Sequence, residues 1–449
     1  MKILPTIGPV SESIFSLKKL NKFTNIFRLN GSHNNLDWHK KIIRRIKGIN
    51  KKNNILLDIP GVKPRTKNET DIFIKKKQLV IFYYNKKNLN YFKKNIMIQL
   101  THPIPKIANS AKTFTISDGA YLFKIDKINK NYVSGVSQQN FILKPKKGLN
   151  IPKSIYDNKR QLKLSLKFLN NVKNFKFDAI GLSFVQDEKV VKNVKKKYPD
   201  RLLVSKIENS KGLENIITIV KYSDIIMIDR GDLSAEIGAE NLFRAIKKIS
   251  EECKYQGKPL IMATENLDSM MLNSSPTKSE IISLGFSDYI NSDLIMLSDE
   301  TATSKNYLRI IKWLYNFIYK FNNQDYKNSI INEDYFWNIL RDINKNVLVV
   351  FTKKGYVIEK LLRINKNINL FVFSDNEKVI SYCNFRSNTQ TILTNSFPKK
   401  MEDFISIYIK KFKNKIFKDQ NKVFLTYLSY PKKGLRANTV SLISKNSFN

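Results

Sequence analysis

The sequence predicts an α/β protein built on a (β/α)8 TIM barrel, with a β-barrel domain inserted after the third strand and an α/β domain at the C-terminus. Three observations predict it. Eight short apolar runs read as strands and alternate with stretches of helical spacing. After the third run the helical patterning stops, and short alternating runs take over from about Gly61 to Asn150. Polar residues also gather past the end of one strand after another: Arg28 and Asn30 after the second, Asp58 after the third, Lys206 and Glu208 after the fifth. Asp232 follows the sixth, Thr264 the seventh and Glu300 the eighth. Independent loop charges have no reason to collect at one end of successive strands, whereas a (β/α)8 barrel builds its active site there.

The elements follow in order. Lys2–Ile7 reads as the first strand, stopped by Gly8-Pro9, with a helix over Ser11–Lys22. Thr24–Leu29 is the second strand and Leu36–Ile49 a helix with a basic face; Asn54–Ile59 is the third strand and runs into the turn Pro60-Gly61. The insert has alternating runs at Asp71–Ile74, Gln78–Tyr84, Ile96–Leu100, Thr113–Ser117, Tyr121–Ile128 and Tyr132–Val136. The βα rhythm resumes near Pro152, with strands at Asp178–Phe184, Leu202–Ser205, Ile225–Ile228, Pro259–Ala263 and Asp293–Leu297. A helix over Ile310–Phe321 leads to a polar linker at Asn323–Asn332. A further βα series then has strands at Val347–Thr352, Asn369–Ser374, Thr391–Leu393 and Lys422–Tyr427. The domain limits expected are 1–60 with 151–325 for the barrel, 61–150 for the insert acting as a lid, and 335–449 for the C-terminal domain.

Composition bounds the function. A hydrophobic content of 42% over 449 residues supports several cores and argues against global disorder. No apolar run reaches transmembrane length, and the opening MKILPTIGP shows no signal-peptide pattern, so no membrane is expected. Cys253 and Cys383 stand far apart with no metal or redox spacing, which fits a cytoplasmic location. Net charge is +41, but the lysines spread over the whole chain and accompany abundant Asn, Ile, Phe and Tyr. That mixture reflects A/T-rich codons, and with no nucleic-acid motif beside it no nucleic-acid partner is expected.

The chemistry concentrates in Leu202–Asp232. Lys206 and Glu208 stand past one apolar run, and Arg230, Gly231 and Asp232 past the next. About 25 residues separate the two clusters, which suits one β-α step of a parallel sheet. Two carboxylates and two cations at one sheet edge point to a divalent metal with oxygen ligands beside a lysine, a combination used in phosphoryl transfer. Plainer roles exist for several neighbours: Asn30 as a turn residue, His33 as a residue leading into the helix, Ser32 as an N-cap, Cys253 as a small buried apolar group, and Met270 and Met271 as packing.

The motifs FRLNGSH (27–33), SKIEN (205–209), IDRGDL (228–233), ATENLDSM (263–270), SPTKSE (275–280) and IMLSDETA (295–302) closely resemble those of the pyruvate kinase family. TIGP (6–9), ISDG (116–119), KGLNIP (147–152) and LSFVQ (182–186) add weaker matches in the same order. The resemblance implies conversion of phosphoenolpyruvate and ADP to pyruvate and ATP with Mg²⁺. It implies that Glu208 and Asp232 hold the Mg²⁺, that Lys206 and Arg28 contact the phosphoryl group, and that Thr264 assists protonation of the enolate. Gly231 and Asp232 would receive the substrate carboxylate on their backbone N–H groups, and Asn30, His33 and Arg65 would contact the nucleotide. A monovalent-cation site would draw on Asn30, Ser32, Asp58 and the carbonyl of Ile59. The resemblance ties lysine at the position of Lys63 to independence from K⁺, so weak or absent K⁺ dependence is expected. A homo-oligomer, a tetramer by analogy, is also implied.

The chain departs from the family pattern in places. Asp229 stands where alanine is usual, and either crowds the metal with a third carboxylate or faces away. Pro60 alters the hinge into the insert, Gly31 replaces a bulky residue, Glu265 stands where Gln is common and Lys278 where Arg is common. Thr352-Lys-Lys-Gly355 and Tyr430–Leu435 match the family's effector loops poorly, which argues against control by a sugar phosphate. Two other readings remain. One is a divergent paralogue acting on another enolpyruvyl or phosphorylated acid. The other is a non-catalytic barrel-fold protein, against which Lys206, Glu208, Asp232, Thr264 and Arg28 argue together.

Overall fold

The computed structural model describes residues 1–85, 95–107, 111–117, 119–322, 347–364, 368–396, 403, 405–418, 420–427 and 439–448. The expected linker at Asn323–Asn332, the loop Tyr430–Leu435 and Asp118 of the 116–119 motif lie outside these residues.

Eight parallel strands form the central sheet: Lys2–Pro5, Ile26–Asn30, Asn54–Ile59, Ala179–Leu182, Leu202–Ile207, Ile225–Asp229, Leu260–Ala263 and Leu294–Leu297. Numbered one to eight, they pair in sequence order, and strand eight returns to strand one with Lys2 opposite Leu294. The last seam, between strands one and two, is closed by the bridge Thr6↔Arg28, where the Ile7 N–H donates to the Arg28 carbonyl at 2.9 Å. The sheet is therefore a nearly closed (β/α)8 barrel, as expected.

Strand residues point alternately into and out of the barrel. Ile26, Leu56, Val204 and Met227 face the interior core, while Phe27, Leu57, Leu203 and Ile228 face the surrounding helices. Continuing the inward set toward the strand ends yields Arg28, Asp58, Lys206 and Asp229. The polar residues are thus the top layer of the barrel interior. Several belong to the strands rather than lying past them: strand five runs on to Ile207, with Lys206 in register with Met227. A strand read from apolar residues alone stops too early, because inward charges continue the ladder.

The helix Leu36–Ile49 has the expected limits, but its N-cap is Asn35, whose side chain accepts from Trp38 N–H at 2.9 Å. Ser32 does not cap it, because the chain needs three more residues to turn from strand to helix. The first helix is the shorter Ile14–Leu20, capped by Ser13.

The insert forms a six-stranded sheet packed around Phe82, Phe114 and Phe123. Phe114 stacks on Phe123 with ring centroids 4.9 Å apart. Four strands there had no sequence signal: Lys106–Ile107, Phe141–Leu143, Leu149–Asn150 and Ser154–Ile155, each too short to show alternation. The C-terminal sheet has five strands, and its edge strand Thr439–Ser444 runs antiparallel to Lys422–Tyr427. This domain packs on the N-terminal end of the barrel, opposite the polar layer: Lys2 Nζ donates to Asn384 O at 3.0 Å, and Ser387 N–H to Asp293 Oδ1 at 3.2 Å. Among the described residues no helix is long and apolar enough to cross a membrane.

Candidate active site

The polar layer is held by ion pairs between strands. Arg28, on strand two, donates from Nη2 and Nε to Asp58 Oδ2 on strand three, at 2.7 and 3.0 Å. Its Nη1 reaches Thr6 Oγ1 at 2.9 Å, across the barrel seam. Lys206 Nζ stands 2.8 Å from Glu208 Oε1, 3.1 Å from Asp58 Oδ2 and 3.5 Å from Asp229 Oδ2. Burial alone would lower the Lys206 pKa, but the three carboxylates outweigh it and hold the ammonium above its ordinary value. Burial would likewise raise Asp58, yet Lys206 and Arg28 keep it below the usual carboxylate range. Lys206 and Asp58 therefore both stay charged out of water.

Glu208 behaves differently. Burial pushes it up to about 8 against the pull of Lys206, with Asp229 and Asp232 adding to the rise. Its Oε2 accepts the Phe184 N–H, a bond that fixes the carboxylate, and Phe184 takes a left-handed φ of 54°. Glu208 thus shares a buried site with two further carboxylates, a condition a divalent cation relieves. One oxygen from each of Glu208, Asp229 and Asp232 lies within 4.8 Å of the others. All three donors are hard carboxylate oxygens, so the donor set fits Mg²⁺ or Mn²⁺.

Asp232 lies in the first turn of the helix Arg230–Ile237 and pairs through Oδ1 with Lys63, which reaches in from the segment leading into the insert. Lys63 is 3% exposed, and Gly148 lies against its side chain. Thr264 follows strand seven with φ 61°, and Glu265 has φ 51°. Two successive left-handed non-glycine residues store strain, which the surroundings must hold in place. Arg230 does this: it donates to Ser283 Oγ at 2.6 Å, Asn266 Oδ1 at 2.8 Å, Ala263 O at 3.3 Å and Thr264 O. The two cations expected to meet the carboxylates are therefore not equivalent, since Arg230 turns toward strand seven. Thr264 Oγ1 in turn accepts the Gly231 N–H at 3.1 Å, and its single proton has two acceptors within reach, Ala263 O at 2.7 Å and Asp229 Oδ1 at 3.2 Å. In this arrangement the Gly231 N–H is taken by a threonine, so receiving a substrate carboxylate requires that bond to be exchanged.

The second-strand loop lies at the rim. Asn30 Oδ1 accepts the Ser32 N–H at 3.1 Å, while Ser32 and His33 are exposed. Partial burial of its ring and the charge of Arg65 hold His33 below its ordinary pKa. Arg65 is half-buried and donates to Lys146 O at 3.4 Å. Of the oxygens assigned to a monovalent ion, Ile59 O accepts Ser183 Oγ at 2.8 Å and Asp58 Oδ1 does so at 3.2 Å. Gly31 has a packing reason: a Cβ there would lie 2.8 Å from Phe168 Cζ and 2.9 Å from Asp58 O. Phe168 fills the place a larger residue would take.

Sequence reasoning left the direction of Asp229 open and missed Glu236 and Tyr156. Asp229 faces the site rather than away from it, and its parity with Met227 was the available signal. Glu236 and Tyr156 form a buried hydrogen bond of 2.9 Å beneath Asp232, with burial raising Glu236 to about 8. Nothing local in sequence joins residues 80 apart.

A fixed ammonium and a guanidinium beside a hard-metal donor set can neutralise charge on a moving phosphoryl group, and the chain is by class a phosphotransferase. Residues 1–309 match the family described as pyruvate kinase, barrel domain. The chain is 27% identical to the pyruvate kinase of Thermotoga maritima, with 98% of each chain covered. It is 31% identical to that of Thermococcus litoralis over 68% of this chain and 66% of that enzyme, and 31% identical to that of Hypocrea jecorina over 67% and 58%. The chain belongs to the pyruvate kinase family.

Proposed function

We propose that this protein transfers the phosphoryl group of phosphoenolpyruvate to ADP, giving pyruvate and ATP, with Mg²⁺ held by Glu208 and Asp232. The observation that carries the reading is Lys206, a buried ammonium with Asp58, Glu208 and Asp229 carboxylates within 3.5 Å. Such a group is already desolvated and oriented, so it meets developing negative charge without reorganising. Mg²⁺, when bound, supplies Lewis-acid neutralisation of phosphoryl and carboxylate oxygens.

The chain's own groups do the rest. Lys206 and Arg28 offset charge on the transferring phosphoryl group, and Lys206 then faces the enolate oxygen left behind. The N–H groups of Gly231 and Asp232, at the start of the helix Arg230–Ile237, orient the substrate carboxylate. Thr264 positions a water that protonates the enolate carbon; its hydroxyl is too weak an acid to act by pKa alone. Asn30, His33 and Arg65 contact the nucleotide phosphates, and the insert carrying Arg65 closes over the site to keep water from the phosphoryl group. Lys63 places a fixed positive charge at the site, so K⁺ at Asn30, Ser32, Asp58 and Ile59 adds little. The protein acts in the cytoplasm as a homo-oligomer, without nucleic acid.

The test is pyruvate formation from phosphoenolpyruvate and ADP with Mg²⁺, with and without K⁺, beside Lys206→Met. We expect turnover that changes little with K⁺, and a loss of about 10³-fold in the variant. A folded wild-type protein without turnover under either condition rejects the reading, in favour of another enolpyruvyl or phosphorylated acid as substrate. Strong K⁺ activation rejects the role of Lys63 alone.

A further inference from the structure

Asp229 ends strand six and is 7% exposed, with its carboxylate divided between two neighbours. Oδ1 accepts from Thr264 Oγ1 at 3.2 Å, and Oδ2 lies 3.5 Å from Lys206 Nζ. The other carboxylates of the layer are held more closely. Asp58 Oδ2 takes Arg28 at 2.7 Å and Lys206 at 3.1 Å. Glu208 takes Lys206 at 2.8 Å on one oxygen and the Phe184 N–H on the other. Asp232 Oδ1 is ion-paired with Lys63. The Lys206 contact of Asp229 is the longest of the three that lysine makes, so Oδ2 is the least tightly held of the carboxylate oxygens around Lys206.

Geometry and charge agree with that. Octahedral Mg²⁺ or Mn²⁺ with oxygens at about 2.1 Å holds neighbouring donors about 3 Å apart and opposite donors about 4.2 Å apart. Oxygens of Glu208, Asp229 and Asp232 within 4.8 Å of one another therefore close on one ion with small side-chain movements. When all are ionised, Asp58, Glu208, Asp229 and Asp232 exceed Arg28, Lys63 and Lys206 by one negative charge, which a divalent cation would offset.

We infer that Asp229 is a third carboxylate ligand of the divalent cation, supplying an oxygen beside Asp232, whose Oδ1 is engaged by Lys63. The inference rests on the proposed metal site at Glu208 and Asp232 and adds to it a coupling: Lys63 weakens the ion's hold and Asp229 restores it. It also bears on Thr264, because the ligand's other oxygen is one of the two acceptors its hydroxyl can reach, beside the nearer Ala263 O. A residue that served only to orient Thr264 would need no charge.

The experiment titrates full-length protein with Mn²⁺ alone, without substrate and near neutral pH, following the electron paramagnetic resonance signal of the free ion. Asp229→Asn keeps the shape and an acceptor for Thr264 but loses the charge, and we expect it to weaken Mn²⁺ binding about tenfold or more. Lys63→Met is expected to tighten binding several-fold, and K63M/D229N to return it toward the wild-type value. Thermal unfolding checks that each variant folds, and Asp229→Ser replaces D229N if that one does not. Mn²⁺ affinity of D229N within about twofold of wild type overturns the inference and leaves the site at Glu208 and Asp232 standing. Wild-type protein that takes up no Mn²⁺ at millimolar concentration rejects the metal site itself, and this inference with it.

Discussion

At the C-terminal end of the barrel Lys206 has three carboxylates within 3.5 Å, whereas at the N-terminal end Lys2 hydrogen-bonds to two carbonyls, Asn384 O at 3.0 Å and Thr389 O at 3.2 Å. Burial lowers the pKa of both. At Lys206 the carboxylates reverse it and keep the charge; at Lys2 nothing comparable does, and the value falls to about 8. The same side chain on the same sheet is thus a permanent cation at one end, while at the other it gives up its proton well below its ordinary range. Dipoles of carbonyls satisfy the donors of an ammonium, but only full charges offset the cost of taking it out of water. One end of the barrel carries charge for chemistry, and the other holds a domain in place.

Asp58→Asn tests that division most severely. It removes the acceptor of Arg28 and one partner of Lys206, so buried cations lose their compensation. Loss of about 3 kcal/mol in urea unfolding is expected, together with a collapse of kcat. Arg386→Met comes next, at the opposite end. Arg386 is 1% exposed and donates to Tyr382 Oη at 2.7 Å and to Gly257 O, which joins the C-terminal domain to the barrel. A loss of about 2 kcal/mol with unchanged kcat and KM is expected. A fall in kcat as large as that of the Asp58 variant would dissolve the contrast between the ends.

The smallest effect belongs to Lys2 and appears in its pH dependence. Its folded value near 8 lies below the ordinary 10.5, so between these pH values the unfolded chain binds the extra proton. Stability therefore rises with pH across that window, as the folded lysine stops bearing a buried charge; below pH 8 the full cost remains. The side chain is only half-buried, which trims the swing to about 1–2 kcal/mol. Urea midpoints at the two ends of the window should differ in wild type and converge in Lys2→Met. A wild-type midpoint that is flat or falls there would show that Lys2 keeps its charge and that the ends do not differ as argued.

Elements with a strong period came out of the sequence at their true limits: the helix Leu36–Ile49 and the strands Asn54–Ile59, Tyr121–Ile128, Asn369–Ser374 and Lys422–Tyr427. Each is long enough for its apolar spacing to repeat. The strands Lys106–Ile107, Phe141–Leu143, Leu149–Asn150 and Ser154–Ile155 gave no such signal and exist because neighbouring strands offer free edges. The alternation in strand six extends past Met227 to Asp229, so the inward aim of that carboxylate was legible in the spacing Ile225, Met227, Asp229. A reading that ends strands at the last apolar residue discards it. The direction of Arg230 was not legible. It lies in the first helical turn, and only the positions of Ser283 and Asn266 determine where its guanidinium goes.

By itself the sequence determined the repeat of strand and helix, the break for the insert, the end of the barrel where polar residues gather, and the order of motifs that marks the family. These are properties of local spacing, and spacing is written in the chain. The partners were decided only in the tertiary structure. Lys63 meets Asp232 across 169 residues, Lys47 meets Asp178 across 131, and Arg28 reaches Asp58 only because strands two and three lie side by side. Whether a buried charge is kept or shed depends on which groups closure of the sheet brings within a few ångströms. That closure separates a lysine with three carboxylates from one that has carbonyls.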